Sequence, residues 1–145
     1  MVRAAALAFG IVAAGTAAAA DFRSVSENGA VLYDAPSRAA KPMYVVSKLY
    51  PVEVIVNLEA WVKVRDHAGA LSWIERKSLV DKRMVLVTAP VAPVRARAEE
   101  AAPVAFSAQQ NVVLELSEIG AAGWLRVRHA DGSAGFVRAD QVWGN

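Results

Sequence analysis

Residues 61–79 read WVKVRDHAGALSWIERKSL, and residues 124–142 read WLRVRHADGSAGFVRADQV. The two stretches align without a gap at an offset of 63 residues. They share a tryptophan at the first position, a valine at the fourth, an arginine at the fifth and a glycine at the ninth. Repetition of a whole segment at a fixed spacing indicates one structural unit that is used twice. We therefore predict that the chain contains two repeats of the same fold.

The start of each stretch alternates as a half-buried β-strand does. Residues 61–65 and 124–128 carry valine or leucine at their second and fourth positions and aromatic or basic residues at the other three. Successive side chains of a strand point to opposite faces, so this pattern places the aliphatic residues in a core and the others on an outer face. No segment with helical periodicity follows residue 20. Both repeats are therefore predicted to be all-β.

The second half of each stretch completes a β-hairpin. Pairing of Val62 with Ile74 on the core face leaves a three-residue loop at 67–69, closed by Asp66 and Ala70. The last loop position favours a left-handed backbone, which Gly69 adopts without steric cost, and Gly132 stands at the same place in the second stretch. The register also predicts two cross-strand pairs on the outer face, Lys63 with Trp73 and Arg126 with Phe136. Gly135 is interpreted as a turn or bulge glycine.

The remaining strands are expected at residues 31–33, 43–48, 52–58 and 84–87, which are rich in β-branched and aromatic residues. Upstream of the hairpin the repeats match more loosely. Residues 50–56 align with 111–117, and residues 31–36 align with 94–99, which matches Tyr33 with Ala96.

These matches divide the chain into segments. We assign residues 21–88 to the first repeat, 89–93 to a short linker and 94–145 to the second repeat. The linker is expected because Pro90 and Pro93 restrict the backbone and the segment offers little to bury.

The first twenty residues, MVRAAALAFGIVAAGTAAAA, have the layout of a secretory signal peptide. A single basic residue, Arg3, precedes an apolar stretch, and small residues follow up to Ala20. A membrane anchor is the alternative, but no basic cluster follows the stretch. We expect cleavage after Ala20, a periplasmic or secreted product, and no stable membrane insertion after cleavage.

The amino-acid composition excludes several classes of function. The chain has 16 basic and 14 acidic residues, and loss of Arg3 with the signal peptide leaves this near balance, whereas a nucleic-acid-binding protein needs a sustained basic excess. Cysteine is absent, which excludes disulfides, thiolate metal sites and a cysteine nucleophile. The two histidines, His67 and His129, stand at non-equivalent places at or beside the hairpin turns, and Glu99 and Glu100 have no matching pair in the first repeat. We therefore expect no enzyme activity, no cofactor, no metal and no nucleic acid.

The motif W-[VL]-[KR]-V-R, followed by a glycine-containing turn and by [WF]-[IV], resembles the bacterial SH3-like domain of exported proteins. The tandem form is similar to proteobacterial proteins with two such repeats and no catalytic domain. The resemblance covers nearly all of residues 21–145. It implies two tandem SH3-like small β-barrels in a cell-envelope context, where such domains accompany cell-wall hydrolases. The expected function is non-catalytic binding of cell-wall (peptidoglycan) peptide or an envelope protein. The alternative is an accessory subunit that docks on an envelope enzyme or complex through its aromatic face.

The candidate ligand-binding residues are the aromatic and basic residues of the outer face. In each repeat the arginines would pair with carboxylates of a peptide. Two other roles stay open for the aromatic members, which could cover the edge of a barrel or form the contact between the repeats. The candidates are Trp61, Lys63, Arg65, Trp73, Trp124, Arg126, Arg128 and Phe136.

Two further aromatic residues lie outside this candidate site. Tyr33 lies in a stretch that resembles the A-L-Y-D-Y segment of eukaryotic SH3 domains, but Ala35 replaces the second tyrosine, so Tyr33 is expected to be a packed or half-exposed strand residue. Trp143 corresponds to Val80 of the first repeat and is expected to cap the end of the second barrel.

Overall fold

The computed structural model describes residue 15 and residues 19–145. Most of the predicted signal peptide, residues 1–14 and 16–18, lies outside the described residues. Within the described part, the chain is all-β apart from two single turns of 3-10 helix, at Arg76–Ser78 and Ala139–Gln141. No helix of the described residues is long and apolar enough to cross a membrane.

In residues 19–145, fourteen strands form two antiparallel sheets of seven strands each. The first sheet contains β1 (Phe22–Val25), β2 (Ala30–Tyr33), β3 (Pro42–Val46), β4 (Pro51–Asn57), β5 (Trp61–Arg65), β6 (Leu71–Glu75) and β7 (Leu79–Val80). The second sheet contains β8 (Met84–Val87), β9 (Val91–Arg95), β10 (Val104–Gln109), β11 (Val113–Ile119), β12 (Trp124–Arg128), β13 (Ala134–Arg138) and β14 (Val142–Trp143).

The two sheets have the same topology. Their strand orders are β3-β2-β6-β5-β4-β1-β7 and β10-β9-β13-β12-β11-β8-β14, so each strand of the second sheet takes the place of the strand seven positions earlier. Each sheet encloses its own cluster of buried aliphatic residues, which includes Val62, Val64 and Ile74 in the first and Leu125, Val127 and Val137 in the second. The prediction of two all-β repeats is confirmed.

The predicted hairpin is present in both repeats. Val62 pairs with Ile74, and the Asp66 N–H donates a hydrogen bond of 3.0 Å to the Ala70 carbonyl, which closes the loop. Gly69 has a φ of 85° and Gly132 a φ of 93°, the left-handed conformation that glycine adopts without a Cβ clash. The cross-strand pairs Lys63 with Trp73 and Arg126 with Phe136 also have the predicted register.

The boundary between the repeats differs from the sequence assignment. We placed Met84–Val87 in the first repeat, but this strand pairs with β11 and β14 of the second sheet, and all four of its residues are buried there. Residues 89–93 are not a linker, because the strand Val91–Arg95 begins within them and buries Ala92. The connection between the sheets is the segment 81–83.

The upstream alignment also shifts by one residue. Tyr33 pairs with Trp73 in the first sheet, and Arg95 pairs with Phe136 in the second, so the counterpart of Tyr33 is Arg95 and not Ala96. Gly135 lies inside β13 rather than at a turn.

Trp143 joins the two repeats, whereas we expected it to cap its own barrel. Its ring meets the ring of Phe22 edge to face at 5.2 Å, and the ring of His67 lies 6.5 Å away. A hydrogen bond of 2.7 Å from the Ser24 hydroxyl to the Lys82 carbonyl lies at the same junction. Trp143 therefore packs on β1 and on the first hairpin loop.

Candidate ligand-binding surface

Three half-buried aromatic side chains lie together on the outer side of the first repeat. Strands β2, β6 and β5 are neighbours, and they bring Tyr33, Trp73 and Trp61 side by side. The rings of Tyr33 and Trp61 meet edge to face with centroids 5.6 Å apart. The Lys63 ammonium lies 5.9 Å from the centre of the Trp73 ring, within reach of a cation–π interaction. We call Tyr33, Trp61, Lys63 and Trp73 the aromatic face.

Tyr33 was not among the predicted site residues. Its position follows from the alternation of β2, where Ala30 and Leu32 are buried and Val31 and Tyr33 are half-buried. The sequence alignment of the repeats did not indicate this position, because it matched Tyr33 with Ala96 and not with Arg95, which takes the same place in the second sheet.

An ion pair anchors the loop 34–41 next to the aromatic face. The Arg38 guanidinium donates hydrogen bonds of 2.7 and 3.2 Å to the carboxylate of Glu75, which is the cross-strand partner of Trp61. The hydrogen bond from Arg38 is the main cause that lowers the pKa of the Glu75 carboxyl, and burial opposes it. Trp61 itself is half-buried, so part of its side chain is accessible to solvent beside this ion pair.

Arg65 forms an ion pair with a residue of its own repeat. Its guanidinium donates hydrogen bonds of 2.9 and 3.1 Å to the carboxylate of Glu53 on β4. A ligand carboxylate would have to displace this partner, so Arg65 does not extend the aromatic face.

The second repeat presents a different surface. Trp124, a predicted ligand-binding residue, has the same strand register as Trp61 but is only 5% exposed, so it is buried and not accessible as we expected. The Arg138 guanidinium lies over its ring at 5.2 Å, in the place that Glu75 occupies in the first repeat. Phe136 is half-buried and faces the exposed Arg126 across the strands.

Arg95, the counterpart of Tyr33, makes the second surface more cationic. Its guanidinium donates a hydrogen bond of 2.9 Å to the Ala102 carbonyl. Arg95 and Arg138 thus stand where the first repeat has Tyr33 and Glu75. The structure brings aromatic groups together at an accessible surface in the first repeat and arginines in the second.

The aromatic side chains of the candidate site contact residues of their own repeats. Trp61 contacts Tyr33, Trp73 lies beside Lys63, and Trp124 lies under Arg138. The aromatic contact between the repeats is made by Phe22, His67 and Trp143 instead.

The histidines lie at the hairpin turns, as predicted. His67 Nδ1 is 3.0 Å from the Tyr50 hydroxyl, and burial is the main cause that raises the pKa of that tyrosine. His129 Nδ1 is 3.1 Å from the carboxylate of Asp131. In the part of the chain that the structure describes, no group of three or more acidic, histidine or cysteine side chains could hold a metal ion.

Comparison with solved structures gives three partial similarities. Among solved structures, the chain is similar to NlpC2 and NlpC1 from Trichomonas vaginalis and to an NlpC/P60 family protein from Bacillus cereus, with identities of 13%, 14% and 18% and TM-scores of 0.40, 0.40 and 0.39. The alignments cover 90%, 95% and 84% of this chain but 50%, 51% and 55% of those chains, so it spans about half their length. No curated protein sequence matches the chain.

A protein-family model also matches the chain. The family model of the bacterial SH3 domain matches the chain twice, over residues 26–81 and 88–144. The first match contains β2 to β7 and the second contains β9 to β14, so each match begins directly after the first strand of its sheet. The chain therefore belongs to the bacterial SH3 domain family and carries two such domains in tandem.

Proposed function

We propose that the protein is a non-catalytic binding protein of the bacterial cell envelope that recognises extended cell-wall peptide through the aromatic face of its first repeat. The observation that carries this proposal is the cluster of Tyr33, Trp61 and Trp73 with a lysine beside it, half-buried and open to solvent. Aromatic residues at an accessible surface, with a cation among them, are typical of interaction sites.

The chemistry of this surface suits a peptide ligand. The rings of Trp61 and Trp73 offer flat apolar area to a backbone or a small side chain, and the Lys63 ammonium can pair with a carboxylate. Bacterial SH3 domains are binding modules, and this chain has two of them. The signal-peptide layout of residues 1–20 supports a periplasmic or secreted location, where cell-wall peptide is accessible.

Co-sedimentation with purified sacculi tests the proposal. Residues 21–145 are mixed with sacculi and centrifuged, beside a Trp73→Ala variant and a Trp61→Ala, Trp73→Ala double variant. Ile119→Ala is the matched control, because this side chain is 63% exposed on β11 and belongs to no proposed site. Circular dichroism shows whether each variant is folded.

We expect the wild type and Ile119→Ala to pellet and the Trp73→Ala variant to remain mostly in the supernatant. The single variant keeps the contact between Tyr33 and Trp61, so it tests binding even if the double variant unfolds. A wild-type protein that stays in the supernatant, or a folded Trp73→Ala protein that pellets like the wild type, would refute wall binding through this face.

Docking on an envelope enzyme or complex as an accessory subunit is a second candidate function. The edge strand β3 favours it, since Met43, Tyr44 and Val45 are 40%, 49% and 69% exposed beside the open edge of the first sheet. An exposed apolar edge strand accepts an additional strand from a partner protein.

The two candidate functions predict different partners. If the protein is a subunit, crosslinked pull-down from the periplasm captures the same partner protein with the wild type as bait and with the Val104→Lys variant as bait. Val104 lies on β10, the edge strand equivalent to β3. Capture fails with Val45→Lys, because the charge blocks strand addition at β3. Pelleting with sacculi free of protein, together with equal capture by both variants, would favour the wall-binding function instead.

A further inference from the structure

A cleft of about 500 Å³ lies between the two repeats. This volume is in the range of sites that bind small molecules. The turn before β4 supplies one side, and β8, β11 and the second hairpin loop supply the other. Residues of both repeats line the cleft, among them Lys48, Leu49, Met84, Val113, Glu115 and Arg128.

The cleft carries an excess of positive charge. Lys48, Lys82 and Arg128 line it, and Glu115 is its one lining carboxylate. The Lys82 ammonium lies 3.5 Å from that carboxylate. Among residue 15 and residues 19–145, neither Lys48 nor Arg128 takes part in an ion pair. The cleft therefore offers two cations to an anionic ligand.

The equivalent arginine of the first repeat, Arg65, has an ion-pair partner, whereas Arg128 has none among the described residues. Glu53 faces Arg65 across β4 and β5, and Glu115 faces Arg128 across β11 and β12, in the same register. The first pair forms two hydrogen bonds, of 2.9 and 3.1 Å. In the second pair the glutamate is within ion-pair distance of Lys82 instead. Within the described residues, the planar guanidinium of Arg128 thus has no carboxylate partner.

Leu49 adds an apolar side to the cleft in an unusual conformation. Its φ is 70°, in the left-handed region that a bulky side chain adopts only with strain. Asn111 has a φ of 69° at the corresponding turn of the second repeat, and asparagine is a common residue in that conformation. Leucine at this position lines the cleft together with Met84 and Val113, where asparagine would not provide an apolar surface.

We propose that this cleft binds a small ligand with a free carboxylate next to a short aliphatic group, such as the carboxyl terminus of a short peptide. The Arg128 guanidinium receives the carboxylate through two parallel hydrogen bonds, and the Lys48 ammonium adds a second positive charge. Leu49, Met84 and Val113 contact the aliphatic group. None of these residues belongs to the aromatic face, so the cleft is a second site whose existence does not depend on wall binding.

Titration of ¹⁵N-labelled residues 21–145 with N-acetyl-alanyl-alanine tests the proposal by NMR. The same peptide with an amidated carboxyl terminus and inorganic phosphate are the comparison probes. The variant is Arg128→Gln. The matched control is Arg97→Gln, which removes one positive charge from an exposed side chain outside the cleft.

We expect saturable shifts of the backbone amides of Leu49, Met84 and residues 128–132 with the free acid and none with the amide. Loss of the charge-assisted hydrogen bonds in Arg128→Gln should weaken binding about tenfold or more, whereas Arg97→Gln should bind as the wild type does. Arg128 is exposed, so the variant should fold, and its own spectrum verifies this.

Three results would overturn the proposal. Absence of saturable shifts with the free acid would show that the cleft is not a site for this ligand. Equal binding of the amide, or of phosphate, would show that the carboxylate with its aliphatic neighbour is not what the cleft recognises. Equal weakening by Arg97→Gln would show that net charge, and not the Arg128 fork, drives association.

Discussion

At the scale of single residues, two glycines of the second hairpin serve different physical purposes. Gly132 has a φ of 93°, and a Cβ placed there would meet no atom within 4 Å. A Cβ on Gly135 would lie 2.5 Å from the Arg95 carbonyl oxygen and 2.8 Å from a methyl group of Val94. The first glycine is needed for its backbone conformation, and the second is needed because β9 passes close to it.

Substitution of these glycines should therefore have unequal effects on stability. Gly132→Ala should lower the free energy of unfolding by about 1 kcal/mol, the cost of a left-handed alanine. Gly135→Ala should lower it by about 3 kcal/mol, because β9 must move away from β13. Urea denaturation followed by fluorescence measures both changes. Gly132→Asn is the control, with an expected change near zero, and equal losses for the two alanine variants would contradict this explanation.

The different exposure of Trp61 and Trp124 comes from one cross-strand neighbour. Strand parity predicted both side chains on the outer face, and the pairing of Trp61 with Glu75 and of Trp124 with Arg138 has the same register. Alternation determines on which face of a strand a side chain lies, but it does not determine which other side chains cover it. Arg138 covers Trp124, whereas Glu75 binds Arg38. The two aligned stretches contain Glu75 and Arg138, but they do not show that Glu75 is engaged by Arg38, a loop residue 37 positions earlier in the chain.

Removal of this cover should expose Trp124. In Arg138→Ala, the indole N–H of Trp124 should exchange faster with solvent, because the guanidinium no longer lies over the ring. NMR of the four tryptophan indole N–H groups measures this exchange. Glu100→Gln is the control, since it removes the ion-pair partner of Arg138 and keeps the arginine. An unchanged exchange rate in Arg138→Ala would show that other atoms bury Trp124.

At the scale of secondary-structure elements, the hairpins were predictable and the place of β8 was not. The register of β5 and β6 follows from alternation and from a glycine within one short segment, so local sequence was sufficient. Met84–Val87 is a continuous apolar run without periodicity, and its partner Glu115 lies in a strand about thirty residues later. Such a run indicates a buried strand but not the sheet that it joins.

Two fragments test the place of β8. The fragment 82–145 contains all seven strands of the second sheet, and the fragment 89–145 lacks β8, which supplies four buried residues and pairs with two strands. We expect dispersed amide signals and cooperative unfolding for the first fragment and an unfolded spectrum for the second. Equal folding of both fragments would mean that β8 is not essential to the second repeat.

At the scale of the whole molecule, Trp143 couples the two repeats. It replaces Val80 of the first repeat in the sheet, and its ring extends to Phe22. The sequence marks Trp143 as a residue without a counterpart, but its partner depends on how the repeats are placed relative to each other. That arrangement is not encoded in either repeat alone, which is why we expected a cap on its own barrel.

Trp143→Val should uncouple the repeats without disturbing the strand. Loss of the edge-to-face contact and of part of the buried ring should destabilise the protein by about 2 kcal/mol. Urea denaturation monitored by NMR signals of each repeat should give one common midpoint for the wild type and two midpoints for the variant. A single shared midpoint in Trp143→Val would show that other contacts couple the repeats.

The same four indole groups provide the most direct test of ligand recognition by the aromatic face. Trp61 and Trp73 belong to this face, Trp124 is buried in the second repeat, and Trp143 lies between the repeats. Their indole N–H signals therefore report on three different places in one spectrum.

The decisive measurement is an NMR titration of residues 21–145 with soluble peptide fragments of the cell wall, observing these four signals. We predict progressive, saturable shifts of the Trp61 and Trp73 indoles, with the Trp124 indole unchanged, and loss of the Trp61 shift in the Trp73→Ala variant. Unchanged Trp61 and Trp73 signals at saturating fragment, or shifts confined to Trp124 and Trp143, would contradict recognition of cell-wall peptide by the aromatic face.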